Sequence, residues 1–267
     1  GGDGGFAEVS GKANLAFTGH ADLGAAHGAS GSLLLDPLDI LVSLTSGILP
    51  IVVDEFADFA SNVVTISPLT LAAVGGNVVL QAERDIYVRD AIALTAAGAG
   101  VSMTAGGAMF DNGSIFNTAG ISTNGGAVIL RANSISGPGT ITTAGGAVDL
   151  MTSNALNYGN AISSGGGNVT LASQDSGVFS ANVNAGSGTI QVTGTSISGG
   201  SFMTTGTAGF NASAGNVSVN SLSATVVNLT ATNSINATLA AAERVNATST
   251  GAGVTLTAGA GGPLRLG

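Results

Sequence analysis

A repeat of about 21 residues is the feature that most limits how this chain can fold. The segments ISTNGGAVIL, ITTAGGAVDL, ISSGGGNVTL and VNAGSGTIQV begin at residues 121, 141, 162 and 183. Each starts with an apolar residue, and two more apolar residues follow seven and nine positions later. A further apolar position, at residues 135, 156, 178 and 197, completes each unit. The alternation within each pair is typical of a β-strand with one buried side.

The three apolar positions of each unit predict three short strands separated by Gly, Asn and Ser corners. A single unit cannot bury its own apolar stripe, whereas stacked units bury a continuous column. We therefore predict an all-β fold, a right-handed parallel β-helix (solenoid) with coils of about 20–22 residues. The right-handed sense follows from the general preference of parallel connections.

The repeat extends beyond these four units with less regular spacing. GGNVVLQAERDIYV, residues 75–88, is an earlier copy, and we expect later copies of its first strand at Val217 and Val254. Between the later copies, we expect the number of residues per repeat to increase, because of longer corners around residues 199–200 and 206–209.

The sequence also predicts how the chain is divided. Residues 1–42 are predicted to form β-helix coils, residues 43–67 an insertion or loop, and residues 68–267 the β-helix repeats. Within the insertion, DEFADFA at residues 54–60 can form a short helix. In the opening GGDGGFAEVSG we expect a glycine-rich corner followed by a strand, with Phe6 and Val9 turned into the core.

The composition excludes several classes of partner. Only 8% of the residues are charged, and the net charge is −9 with 6 Lys and Arg. Nucleic-acid binding needs a basic surface, so we expect no nucleic-acid partner. The chain has no Cys, which excludes disulfides and thiolate metal sites. Its apolar runs are shorter than the ~20 residues of a membrane helix, so no transmembrane segment is expected.

No residue is predicted to be catalytic or to bind a cofactor or metal. Asp36 and Asp39 could be an acid–base pair, but Asp36 precedes Pro37 and is more typical of a turn. The opening glycines fit a calcium nonapeptide only in part, because Phe6 stands where that motif has its acid.

For the other candidate metal ligands, we also favour an explanation that does not involve a metal. The acids at residues 54, 55 and 58 have no His near them in sequence and are expected to form a solvated surface. His20 and His27 lie in a Gly- and Ala-rich stretch, and we expect them to be exposed or lightly packed rather than to bind a metal.

The outward side chains of the predicted strands also argue against an enzyme. The two outward columns are Val79, Ile129, Asp149, Thr170 and Gln191, and Gln81, Arg131, Met151, Ala172 and Thr193. Acid–base chemistry on a saccharide needs several charged groups facing one groove. A single Asp and a single Arg in separate columns do not supply them, so we expect no enzymatic activity.

Residues 1–94 resemble a stretch of the filamentous haemagglutinin family of bacterial exoproteins. The resemblance rests on three motifs in the family's order: GGDGGFAEVSG, then LLLDP, then TLAAVGGNVVLQAERDI. Residues 95–267 resemble that family only in having generic repeats of a similar kind. The resemblance implies a right-handed β-helix that is extracellular or lies on the bacterial outer cell surface. It also implies two-partner secretion, with an outer-membrane transporter as the partner during export.

Together, these observations predict a structural or adhesive segment of a secreted or surface-attached exoprotein. We expect a rod or filament that attaches to a host-cell, glycan or matrix surface. Because both ends of the sequence lie within repeat-like segments, we also expect either a longer parent chain or end-to-end self-association into filaments. The alternative, from a different class, is a β-helical polysaccharide-binding or -degrading protein of the tailspike or lyase kind.

Overall fold

The structure is a computed structural model that describes residues 2–11, 21–44, 63–107 and 112–258. These residues form an all-β solenoid of about 10 turns built from parallel strands. The predicted β-helical fold class is therefore confirmed, while the right-handed sense of the coil stays a prediction.

The described residues contain one short helix and 23 strands. In chain order the elements are β1 (Phe6–Gly11), β2 (Ser32–Pro37), β3 (Asp39–Val42), β4 (Val63–Ile66), α1 (Pro68–Ala72), β5 (Asn77–Ala82), β6 (Ile86–Val88), β7 (Ile92–Ala97), β8 (Val101–Ala105), β9 (Ser114–Asn117), β10 (Gly120–Asn124), β11 (Val128–Ala132), β12 (Ser134–Gly137), β13 (Thr140–Thr142), β14 (Val148–Thr152), β15 (Leu156–Ser163), β16 (Val169–Ser173), β17 (Val178–Gly186), β18 (Ile190–Gly194), β19 (Ile197–Thr204), β20 (Thr207–Ala212), β21 (Val217–Ala231), β22 (Ile235–Ser249) and β23 (Val254–Ala258).

Successive turns stack on three faces, and the partners in each face are the residues that the repeat aligns. The first face stacks Val128, Val148, Val169 and Ile190. The second face stacks Ile135, Leu156, Val178 and Ile197. The third face stacks Ile121, Ile141, Ile162 and Val183. Alternate side chains of these strands point inward, and the buried ones form one apolar cluster. The predicted alignment is thus confirmed residue by residue.

The length of a turn varies more than the sequence predicts. Partners on the first face are 20 or 21 residues apart between Val128 and Ile190. Beyond Ile190 they are only 18 or 19 apart, through Ala208, Val227 and Val245. The expected stretching around residues 199–200 and 206–209 is therefore wrong. The last two of these turns contain β21 and β22, which remain extended through the corner between the third and first faces.

Two later copies of the repeat belong to a different face from the one predicted. Val217 pairs with Ile197, and Val254 pairs with Ile235, so both lie on the second face rather than the first. The short alternating pattern around each valine is similar on both faces, so the pattern alone could not assign them.

The opening strand places its aromatic residue outside. Phe6 is 66% exposed, so its predicted burial is wrong. Ala7 and Val9 instead pack against the core, opposite Leu33 and Leu35 of β2. Residues three apart in a strand face opposite sides, so Phe6 and Val9 cannot both point inward.

The residues predicted as β-helix repeats begin with a short helix, α1, which contains most of the TLAA motif. The Oγ atom of Ser67 accepts a hydrogen bond from the backbone N–H of Leu69 at 3.3 Å, and Pro68 starts the helix. Both are favoured at a helix N-terminus. Leu71 is fully buried, and α1 packs against β7 on the third face. In the part of the chain that the structure describes, no helix is long and apolar enough to cross a membrane.

Part of the predicted insertion is a strand of the solenoid. Residues 63–66 form β4, which pairs with β3 in parallel. Residues 45–62, which include the predicted helix at 54–60, lie outside the described residues. The three-segment division itself stays a prediction.

Glycine allows the turns to stack closely at the corner between the third and first faces. A Cβ atom on Gly146 would lie far inside van der Waals contact with the carbonyl oxygen of Gly126 in the preceding turn. Gly167 and Gly188 repeat this relation in the next two turns. Gly145 has a φ of 115°, in the left-handed region that side chains disfavour. One glycine therefore makes the turn, and the next permits the close approach.

Buried hydroxyl groups satisfy the carbonyl oxygens of this glycine corner. The Oγ1 atoms of Thr123 and Thr143 donate to the carbonyl oxygens of Gly126 and Gly146. Ser164 makes the equivalent bond in the following turn. Thr123, Thr143 and Ser164 are all buried. Since a buried polar group without a partner is destabilising, this ladder of hydroxyls keeps the corner stable inside an apolar core.

Candidate binding surface

A groove of about 750 Å³ lies at the corner between the third and first faces, near the carboxyl end of the described residues. It is lined by Thr204, Thr205, Ser223, Ala224, Thr225, Val226, Ala241, Ala242, Glu243 and Arg244. These residues come from three successive turns, so the groove runs across the strands. At the strand spacing of about 4.8 Å, three turns span about 10 Å.

The groove forms where the glycine corner ends. The register pairs Thr207 with Val226 and Val226 with Arg244. Thr225 and Glu243, one residue earlier, therefore occupy the corner position that Gly206 holds in the preceding turn. Because this position no longer carries glycine, β21 and β22 continue through it as extended strands. The replacement of this corner glycine by Thr225 and Glu243 is the sequence signal that could have located this site.

The groove is lined by one carboxylate, that of Glu243, and one guanidinium, that of Arg244. Glu243 and Arg244 are exposed, and neither has an ion-pair or hydrogen-bond partner among the described residues. Arg244 is also the only Lys or Arg between residues 132 and 264. The groove thus has a donor and an acceptor that are not used by the fold of the described chain.

Two threonine hydroxyl groups of the groove are committed as donors. Thr225 Oγ1 donates to the carbonyl oxygen of Thr205 at 2.7 Å. Thr205 Oγ1 donates to the carbonyl oxygen of Gly186 at 3.3 Å. Their hydroxyl protons are used by the backbone, so their remaining lone pairs can only accept hydrogen bonds.

The outward side chains of the first face form the two predicted columns. Each column also contains a residue from one turn that was not predicted. Asp149 lies between Ile129 and Thr170 on neighbouring turns, and Met151 lies between Arg131 and Ala172. The sequence alignment missed β8, whose residues stand between β5 and β11 in both columns.

Arg131 and Asp149 form an ion pair across neighbouring turns. Arg131 Nη1 also donates to the carbonyl oxygen of Asp149 at 3.0 Å. The expectation that these two charges are isolated in separate columns is therefore wrong. Arg131 and Asp149 belong to different columns, but the length of the arginine side chain bridges one turn diagonally.

Asp36 and Asp39 have different surroundings and different partners. Asp36 lies in β2 rather than in a turn, so that prediction is wrong, and its pre-proline position favours extended backbone. Partial burial raises the pKa of Asp36, and the carboxylates of Glu83 and Glu8 raise it further. Asp39 is fully buried and paired with Arg84, whose Nε donates at 3.2 Å.

A second carboxylate lies close to this buried pair. The backbone N–H of Asp85 donates to Asp39 at 3.1 Å, while the side chain of Asp85 accepts from the backbone N–H of Ser114 at 2.7 Å. Burial raises the pKa of Asp85. Tyr87, two residues further on, stacks on Phe116 with ring centroids 4.9 Å apart. These contacts connect β3, β6 and β9. The carboxylates of Asp39 and Asp85 therefore hold neighbouring parts of the fold together.

The remaining candidate ligands do not form a cluster. His27 is exposed, and Asp3 uses its carboxylate to accept from the backbone N–H of Ala29 at 2.8 Å. His20 and the acids at residues 54, 55 and 58 lie outside the described residues. Over the described ranges, no group of three or more His, Cys, Asp or Glu residues could hold a metal ion.

Comparison with known proteins yields no relative. The chain matches no family model, and no curated protein or solved structure matches it. The resemblance to the filamentous haemagglutinin family therefore stays a hypothesis that rests on the three motifs of residues 1–94.

Proposed function

We propose that this chain is a rod-forming, adhesive segment of a secreted or surface-attached bacterial exoprotein. The observation that carries the proposal is the stacked solenoid whose outer columns are mostly polar and uncharged. Thr170, Gln191 and Thr193 on the first face are typical of these outward positions. Such a surface can present many hydrogen-bonding groups along a stiff scaffold without attracting a specific charged partner.

The architecture supports a role that depends on length and rigidity. Parallel strands bond each turn to the turns before and after it, so a solenoid grows in one direction. The three motifs shared with haemagglutinin-like exoproteins support an extracellular location and export through an outer-membrane transporter. End-to-end association of such rods into filaments is part of the same proposal.

A second candidate function is polysaccharide binding or degradation by a tailspike- or lyase-like β-helix. The observation that favours it is the groove with Glu243 and Arg244. We favour attachment over turnover because Asp149 and Arg131 are engaged with each other. Asp39 is likewise engaged, with Arg84.

The adhesive proposal is tested by attachment of beads that carry the folded 267-residue chain. Coated beads are expected to attach to epithelial cells or to extracellular matrix more than beads coated with albumin, and free chain is expected to compete. Reducing-sugar release from a panel of polysaccharides measures turnover in parallel. Attachment no better than that of albumin would overturn the adhesive role, and sustained release of sugar would favour the enzymatic alternative.

A further inference from the structure

We propose that the groove lined by residues 204–205, 223–226 and 241–244 binds a neutral saccharide chain. This inference rests on the proposed adhesive function and names the ligand class that one site on the rod would recognise. The groove offers a charged donor, a charged acceptor, hydroxyl acceptors and small apolar side chains within three turns.

The charges of the groove favour a neutral ligand over an anion. Glu243 and Arg244 are adjacent and of opposite sign, so the local net charge is close to zero. The whole chain carries −9, which repels a polyanion over distances within the Debye length. A ligand rich in uncharged donors and acceptors suits this site better than a carboxylate- or sulfate-bearing chain.

The hydrogen-bonding groups match the paired hydroxyls of a sugar. The planar guanidinium of Arg244 can donate two parallel hydrogen bonds to neighbouring oxygens. The carboxylate of Glu243 can accept from two hydroxyl groups. Thr205 and Thr225 supply acceptors only, because their hydroxyl groups already donate to backbone carbonyl oxygens. Each of these four side chains thus has a complementary partner on a polyhydroxylated ring.

The apolar part of the groove completes the match. Ala241, Ala242 and Val226 contribute methyl groups beside the polar residues. A sugar ring presents C–H groups on its faces and hydroxyls at its edge, so small apolar side chains can pack against it while the edge is bound. Because the groove crosses three turns, over about 10 Å, we infer a chain of sugars rather than a single one.

Isothermal titration of the 267-residue chain with neutral oligosaccharides tests the site. Glu243→Gln and Arg244→Gln are each expected to weaken binding about tenfold or more, since each removes hydrogen bonds to a charged group. Asp175→Asn is the matched control, because Asp175 is also an exposed acid but lies outside the groove. It should leave binding unchanged, and circular dichroism should show that all three variants remain folded.

The outcomes separate this inference from the adhesive function. Unchanged binding in both groove variants, loss of binding in Asp175→Asn alone, or no binding of any neutral oligosaccharide would overturn the groove assignment. Preference for acidic over neutral oligosaccharides would also overturn it. If no neutral oligosaccharide binds but beads coated with the unmodified chain still attach to cells, the adhesive role survives and only the ligand assignment fails. If the groove binds saccharide but coated beads do not attach, the adhesive role fails and the assignment survives.

Discussion

Individual glycines determine how closely neighbouring turns of this solenoid can approach. At Gly146, the space that a Cβ atom would occupy is filled by the carbonyl oxygen of Gly126, which is backbone and cannot rotate away. Gly159, in β15 between the second and third faces, has only a single atom, at 4.0 Å, near the Cβ position built on it. These two glycines therefore differ in packing, and the sequence alone does not reveal this difference.

Gly146→Ala is expected to lower the free energy of unfolding by about 1–3 kcal/mol, as overpacking of a tight interior does. The physical reason is that two turns must separate to admit one methyl group. Gly159→Ala is the control and should change stability by less than about 0.5 kcal/mol, as for other surface changes. Urea unfolding followed by circular dichroism measures both, and equal midpoints for the two variants would contradict the close-packed corner.

Both tyrosines should remain protonated in the folded chain at a pH where free tyrosine ionises. Burial raises the pKa of Tyr158 and of Tyr87 above the ordinary value of 10.0. The folded state therefore holds protons that the unfolded state releases, so stability is full below about pH 10 and falls as the pH rises further. Phenolate absorbance should appear together with loss of the β-sheet signal. Ionisation of the tyrosines near pH 10 while the chain remains folded would contradict the burial of Tyr158 and the partial burial of Tyr87.

The elements of the fold were predictable to different degrees. The strands of the four central repeats could be predicted because their apolar residues recur at fixed spacing and each spacing ends in a glycine corner. The helix α1 was missed although Ser67 and Pro68 are recognisable start signals, because the apolar run of TLAA resembles a strand. The face to which Val217 belongs could not be predicted, since stacking partners are set by the number of residues in each corner.

Two leucines of α1 test whether this helix is folded onto the third face. Leu71 is fully buried, whereas Leu69 is 69% exposed. Leu71→Ala is expected to destabilise the chain by about 2–5 kcal/mol, since it leaves a cavity in a packed interior. Leu69→Ala should have an effect within about 0.5 kcal/mol. Similar thermal midpoints for the two variants would contradict the packing of α1 against β7.

The whole molecule combines a predictable interior with a surface that the repeat does not specify. The apolar columns follow from spacing alone, but the ion pair between Arg131 and Asp149 depends on side-chain length and on neighbouring turns. The groove at Glu243 and Arg244 depends on the loss of glycine at one corner position in two turns. The solenoid therefore forms where the repeat is regular. The candidate binding site forms where the repeat loses its corner glycine.

Cross-linking of engineered cysteines tests the parallel stacking of turns most directly, because the natural chain has no Cys. Ala172 and Thr193 are partners on neighbouring turns, and Asn211 is the partner of Thr193 one turn further on. The pair Ala172→Cys with Thr193→Cys lies within the distance that a disulfide spans, while Ala172→Cys with Asn211→Cys is two turns apart and beyond it. Under mild oxidation the solenoid predicts an intramolecular disulfide in the first variant and none in the second. Equal cross-linking in both variants, or in neither, would contradict the stacked solenoid.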